Sequence, residues 1–212
     1  MFFPIFVKQA YELNICVFAS GGGSNFRAIL EARRNNFIHS GIKLLITNNS
    51  NCGAVQIAKE FGIDFMHISR KVFHDVSEDD YQKIFLNKLR EYNIDLIVLA
   101  GYMKKIEPLV LKEYRNRILN IHPALLPLFG GQGMYGINVH KAVISSKTKV
   151  SGLTIHLIDE EYDRGRILFQ RSVNVDENDD EFILQKKILK LEHRYYPYII
   201  KKIEEGEIAL DE

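Results

Sequence analysis

The sequence predicts an α/β protein with a mainly parallel, twisted, Rossmann-like sheet and helices on both faces. Three observations carry this. Short apolar runs alternate with amphipathic helix-length segments from residue 14 to about residue 121, the pattern that gives a mainly parallel sheet. The runs are apolar almost throughout, as strands buried on both faces must be. The first run leads straight into a glycine-rich loop and then a helix pattern.

Taken in order, Asn14-Ile15-Cys16-Val17-Phe18-Ala19 reads as a buried strand, with turn residues after it. Ser20-Gly21-Gly22-Gly23-Ser24-Asn25 follows, and a helix is expected over 26–32. The 42–47 run is a strand, 54–61 a short helix that Gly62 is placed to end, and 65–68 another strand. Ser77-Glu78-Asp79-Asp80 opens a helix with Tyr81, Ile84, Phe85, Leu89 and Tyr92 on one face. The 96–100 run is a strand, and Pro108 suits a helix first turn. The 117–121 run is the next strand, ended by His122 and the prolines Pro123 and Pro127. Four glycines between Phe129 and Gly136 mark either a mobile loop over a site or a plain connector. A helix is expected over 137–144. The 151–158 run alternates as a strand, 159–165 forms an acidic turn expected to be a solvated hairpin loop, and 166–173 returns as a strand. A long helix over 179–202 is expected to break near Tyr196-Pro197. No repeat or linker divides the chain, so one domain over 1–212 is the economical reading.

With 212 residues the chain can bury a substantial core. Lys plus Arg is 28 against 27 for Asp plus Glu, a net charge of +1, which argues against holding nucleic acid by broad charge neutralisation. Two cysteines, Cys16 and Cys52, make neither a disulfide framework nor a metal-ligand pair. Residues 1–8 are apolar but short and broken by Pro4, unlike a secretory signal. No apolar run reaches membrane-spanning length. A cytoplasmic protein with no membrane partner is the expectation.

Two stretches carry chemistry. A strand, glycine loop and helix start form a geometry for holding an anion, because free N–H groups and the helix dipole favour negative charge there. The dinucleotide fingerprint fails, since Phe26 stands where its third glycine belongs and Ser40 is near no acid. No Gly-Lys-Ser/Thr follows, so the Walker pattern fails as well. A phosphate monoester is the better fit, against a tight turn without a ligand. The second stretch is Asn120-Ile121-His122, whose polar residues share one strand face. Taken alone, a strand-ending Asn120 and a satisfied core His122 form the stronger reading. Ligands in such sheets bind beyond the carboxyl ends of the strands, and the glycine loop, Gly101-Tyr102-Met103 and Asn120/His122 converge on that rim.

Ser20-Gly-Gly-Gly-Ser-Asn25, Asn120-Ile-His-Pro-Ala-Leu-Leu-Pro127 and Thr154-Ile-His-Leu-Ile-Asp-Glu-Glu-Tyr-Asp-Arg-Gly165, in that order and spacing, resemble the folate-dependent formyltransferase family. Within it they resemble the branch acting on glycinamide ribonucleotide (phosphoribosylglycinamide) in purine synthesis. The likeness runs from about residue 14 to residue 198. It implies formyl transfer from 10-formyltetrahydrofolate, as co-substrate, to the amino group of that ribonucleotide. Asn120, His122 and Asp163 would then be catalytic, Gly23, Ser24 and Asn25 would hold the phosphate, and Glu192 would meet the glycinamide end. Met103, Lys104, Lys105, Ile106, Ile158 and Asp159 would line the folate site. The resemblance also implies a nucleotide-binding half over about 14–120, a folate-cleft half over about 121–205, and a cis Leu126–Pro127 peptide.

The chemistry asks for these residue types. Amine attack puts negative charge on the former carbonyl oxygen, which Asn120 and a protonated His122 would stabilise. Asp163 is expected to raise the imidazole pKa and to relay a proton. No metal is required, and the seven histidines are scattered. His156, on the face of Thr154, is a supporting or a structural residue. The partners expected are small molecules, with a monomer or weak homodimer as the working form. Three features depart from the family pattern. Lys105 stands where an apolar residue is expected, the 129–136 loop is long, and residues 69–80 offer only Arg70 or Lys71 as a phosphate-binding cation. The rivals are a formyltransferase for another amine (an amino sugar nucleotide or initiator tRNA), a formyl-folate hydrolase, and a non-catalytic nucleotide-binding domain.

Overall fold

The computed structural model describes residues 11–210, and the opening segment 1–8 lies outside the described residues. Seven strands form one sheet: β1 (Asn14–Phe18), β2 (Gly41–Thr47), β3 (Asp64–His67), β4 (Leu96–Leu99), β5 (Ile118–His122), β6 (Val150–Leu157) and β7 (Ile167–Asn174). Their spatial order is β3-β2-β1-β4-β5-β6-β7. β1 to β5 pair in parallel, while β6 and β7 add an antiparallel edge. The chain direction across the sheet reverses between β1 and β4, the topological switch point where open α/β sheets bind ligands.

The helices are α1 (Ser24–Arg34), α2 (Gly53–Phe61), α3 (Glu78–Glu91), α4 (Pro108–Glu113), α5 (Ile137–Ser145) and α6 (Glu181–Glu204). Strand alternation divides the core in two. Ile15, Val17 and Val98 pack with Phe26, Ile29, Ile57, Ile188 and Tyr196 on one face. Cys16, Phe18, Ile46 and Ile97 pack with Tyr81, Phe85, Leu89 and Val110 on the other. Gly62 ends α2 in the left-handed region, the Ser77 side chain caps α3 through the Asp80 N–H, and Pro108 opens α4, as the sequence predicts.

One expectation fails. α6 runs unbroken through Pro197. A proline removes one helical hydrogen bond and crowds the preceding turn. Here, however, Tyr196, Ile199, Ile200 and Ile203 around it are all buried, and that packing holds both sides of Pro197 on one axis. The Tyr196 hydroxyl lies 2.9 Å from the Leu99 carbonyl and 3.0 Å from that of Leu119. It pins α6 to the paired strands β4 and β5. Tyr196→Phe takes this donor from two buried acceptors and is expected to destabilise the fold by about 1–2 kcal/mol. Urea unfolding reads the loss, and an unchanged midpoint would leave the hydroxyl without a structural role.

Candidate active site

The site starts from strand pairing. β5 carries Asn120 and His122 on one face, and antiparallel β6 sets His156 opposite Asn120 and Thr154 opposite His122. Asn120 Nδ2 lies 3.1 Å from His156 Nε2, and His156 Nδ1 lies 2.9 Å from the Leu157 carbonyl. A carbonyl only accepts, so Nδ1 carries the proton and Nε2 accepts from the Asn120 amide. His156 therefore fixes which way the Asn120 amide faces. By the same reasoning His122 donates from Nε2 to the Phe129 carbonyl at 2.8 Å. Its Nδ1 faces Asp163 Oδ2 at 3.6 Å.

Asp163 comes from the acidic turn after β6. Most of that turn is exposed, as expected, but Asp163 turns inward with a left-handed backbone, φ 57°. Its Oδ2 accepts the Gly131 N–H at 2.8 Å. The 129–136 loop is tight at this point, where a Cβ on Gly130 would sit 2.5 Å from a Leu126 methyl and 3.1 Å from the Asp163 Cβ, so both side chains would have to shift. The Leu126–Pro127 peptide is cis, as the resemblance implies. Thr154 and Gln170, which sequence reasoning did not single out as site residues, hold this bend. The Thr154 hydroxyl donates to the Ala124 carbonyl and accepts from the Leu126 N–H, and Gln170 donates to the Leu126 carbonyl.

The three groups border one cavity of about 520 Å³. Met103, Lys104, Lys105, Ile106, Ile158 and Asp159, the residues the resemblance implies for the folate, all line it. So do Asn25, Glu192 and most of the 129–136 loop, so that loop is a wall of the cleft. The Asn25 amide donates to Glu192 Oε2 at 2.6 Å, while Asn25 Oδ1 is buried without a partner. Burial raises the Glu192 pKa, with the Asn25 hydrogen bond opposing it.

Gly23 caps α1 in the left-handed region, φ 77°, and a Cβ there would lie 2.8 Å from Ala54 Cα. The starts of α1 and α2 are thereby drawn together, and no side chain caps either. Neither Ser24 nor Asn25 caps its helix, because Gly23 holds the N-cap position and both lie inside the first turn, where Asn25 turns to Glu192. Ser24 lines a neighbouring hollow with Gly22, Gly53 and Arg27. Arg70 stacks on Tyr81 and pairs with Glu78, and neither it nor Lys71 lines either cavity. Among the described residues no cluster suits a metal ion, and no helix is long and apolar enough to cross a membrane.

The charge state of His122 differs from expectation. Burial lowers its pKa, and the opposing pull of Asp163 and the Phe129 carbonyl does not cancel that. Burial therefore favours the neutral ring. Burial also lowers His156 and His193, and lowers His140, which lines the cleft, to about 4. The unfolded chain would protonate all four near pH 6.5. Between that value and the lower folded values the unfolded state binds more protons, so stability falls as pH falls. Urea midpoints are expected to drop from pH 7 to pH 5, and His140→Leu is expected to flatten the slope. An unchanged slope would remove His140 as a source.

The chain belongs to the formyl transferase family, whose profile matches residues 13–200. It is 43% identical over 194 residues to the chloroplastic phosphoribosylglycinamide formyltransferase of Arabidopsis thaliana, covering 92% of this chain and 66% of that protein. It is 34% identical over 187 residues to the Bacillus subtilis phosphoribosylglycinamide formyltransferase, covering 88% and 92%. Against the plant relatives the chain spans 62–66% of their length. The crystal structure of glycinamide ribonucleotide transformylase 1 from Symbiobacterium toebii superposes with a TM-score of 0.86 at 32% identity, covering 93% and 90% of the two chains.

Proposed function

We propose that this chain transfers the formyl group of 10-formyltetrahydrofolate to the amino group of glycinamide ribonucleotide, a step of purine synthesis. The observation that carries the reading is the convergence of an amide, an imidazole and a carboxylate on one cleft beside a glycine loop. The family and the named relatives support it. We read the chain as one formyltransferase domain, the 14–120 half holding the ribonucleotide and the 121–205 half completing the folate cleft. It would act on small molecules, without nucleic acid or a membrane, as a monomer or weak homodimer in the cytoplasm.

The cleft suits a folate. Met103, Ile106 and Ile158 offer apolar surface for a flat ring, with the polar Lys104, Lys105 and Asp159 beside it. When bound, the folate supplies the activated formyl carbon. Asn120, held by His156, presents an amide N–H to the formyl oxygen. His122 is neutral at rest, and charge building on that oxygen favours its protonation, which adds a second, cationic donor. Asp163, next to the Nδ1 of His122 and tied to the Gly131 N–H, steadies that cation. Through water it also moves the proton that the attacking amine loses to the folate nitrogen, which leaves protonated as its bond to the formyl carbon breaks. Gly23, Ser24 and Asn25 meet the phosphate end, and Glu192 the glycinamide end.

An absorbance assay following loss of formyl-folate tests the reading. Consumption is expected with glycinamide ribonucleotide and not with water, amino sugar nucleotides or initiator methionyl-tRNA. Equal consumption in water would make the chain a hydrolase, and preference for another amine would replace the substrate.

A further inference from the structure

A hydrogen-bonded chain crosses the sheet at the switch point, outside the catalytic trio. The Ser20 hydroxyl donates to Asn48 Oδ1 at 2.5 Å and accepts the Met103 N–H at 2.9 Å. The Ser20 backbone N–H donates to the Gly101 carbonyl at 3.0 Å. Asn48 in turn offers its carbonyl to His67 Nε2 at 3.2 Å. The chain therefore links the carboxyl ends of β3, β2, β1 and β4, in their order across the sheet. Ser20 is 8% exposed, and its hydroxyl gives its one donor to Asn48 while accepting from Met103.

The placement of the two ends is what matters. Ser20 opens the glycine loop, and Met103 opens the 103–106 wall of the cleft. Gly101 has φ 78°, a conformation glycine adopts without steric cost, and Tyr102 after it packs edge-on to Phe18 at 5.2 Å. Met103 and Lys104 are exposed and contribute no buried side chain that would fix the wall. The first anchored side chain beyond them is Ile106, at 5% exposure.

We propose that Ser20 is a positioning residue for the folate side of the reaction, holding the Met103 backbone so that the 103–106 wall stands at the right distance from Asn120. Asn48 acts through Ser20, by orienting its hydroxyl so that a lone pair faces the Met103 N–H. This deepens the proposed function and rests on it for the identity of the ligand. A residue from the phosphate-side motif is thus assigned to the other substrate.

The test combines kinetics with calorimetric titration of tetrahydrofolate on the full chain. Ser20→Ala is expected to raise the KM for formyl-folate and the tetrahydrofolate Kd by about 3- to 10-fold, the range one neutral hydrogen bond supplies. The KM for glycinamide ribonucleotide and kcat are expected to change less than about twofold. Asn48→Ala is expected to act in the same direction by a smaller factor, and the double variant to match Ser20→Ala alone, since both substitutions break one chain. A Ser20→Ala chain with unchanged tetrahydrofolate Kd, or with both substrates weakened alike, would overturn the proposal. Additive effects in the double variant would overturn the role of Asn48. If the parent chain binds tetrahydrofolate but transfers no formyl group to glycinamide ribonucleotide, the reaction assignment fails while the titration still decides the role of Ser20.

Discussion

His122→Ala is expected to lower turnover by at least about 100- to 1000-fold, the usual cost of one donor to a developing oxyanion, while the protein stays folded. The expectation rests on where the imidazole sits. It is 3% exposed at the end of β5, one ring nitrogen held by the Phe129 carbonyl and the other 3.6 Å from Asp163. Alanine removes the cationic donor and frees the Phe129 carbonyl, which adds a stability cost of about 1–3 kcal/mol. Urea unfolding separates the two effects. Near-full activity in a folded His122→Ala chain would take the imidazole out of the mechanism.

Asp163→Asn has the second largest expected effect. Asparagine keeps the side-chain oxygen that accepts the Gly131 N–H and so preserves the fold of the glycine loop. On the proposed mechanism it loses the charge that favours a protonated His122 and the basic site that takes the amine's proton. kcat is expected to fall by about 100- to 10,000-fold, the range of general acid–base contributions, with both KM values within a few-fold of the parent. A raised KM with kcat preserved would make Asp163 a binding residue.

The fold was legible in the sequence because its strands are buried on both faces and so read as uninterrupted apolar runs. The left-handed Gly62, the Ser77 cap and Pro108 are local chemistry and were read correctly. Pro197 was misread because the packing of Tyr196, Ile199 and Ile200 against the sheet is non-local, and a propensity argument cannot see it. Which side chains line the cleft was partly legible, and how they connect was not. Strand alternation puts Asn120 and His122 on one face, but only the antiparallel pairing of β5 with β6 sets His156 against the Asn120 amide. The inward turn of Asp163 depends on Gly130 and Gly131, which are distant in sequence. The neutral His122 follows from burial, which composition does not reveal. Thr154 and Gln170 read as ordinary strand residues, and only the bend at Leu126 gives them work.

The central claim is that three side chains surround one carbonyl carbon and pass it from folate to an amine. Carbon-13 NMR of a reaction started with formyl-labelled 10-formyltetrahydrofolate and glycinamide ribonucleotide tests this most directly. The expected result is one new formamide resonance on the ribonucleotide, appearing with the parent chain and absent with His122→Ala. Label emerging as free formate, or an unchanged rate of formamide formation in the variant, would contradict it.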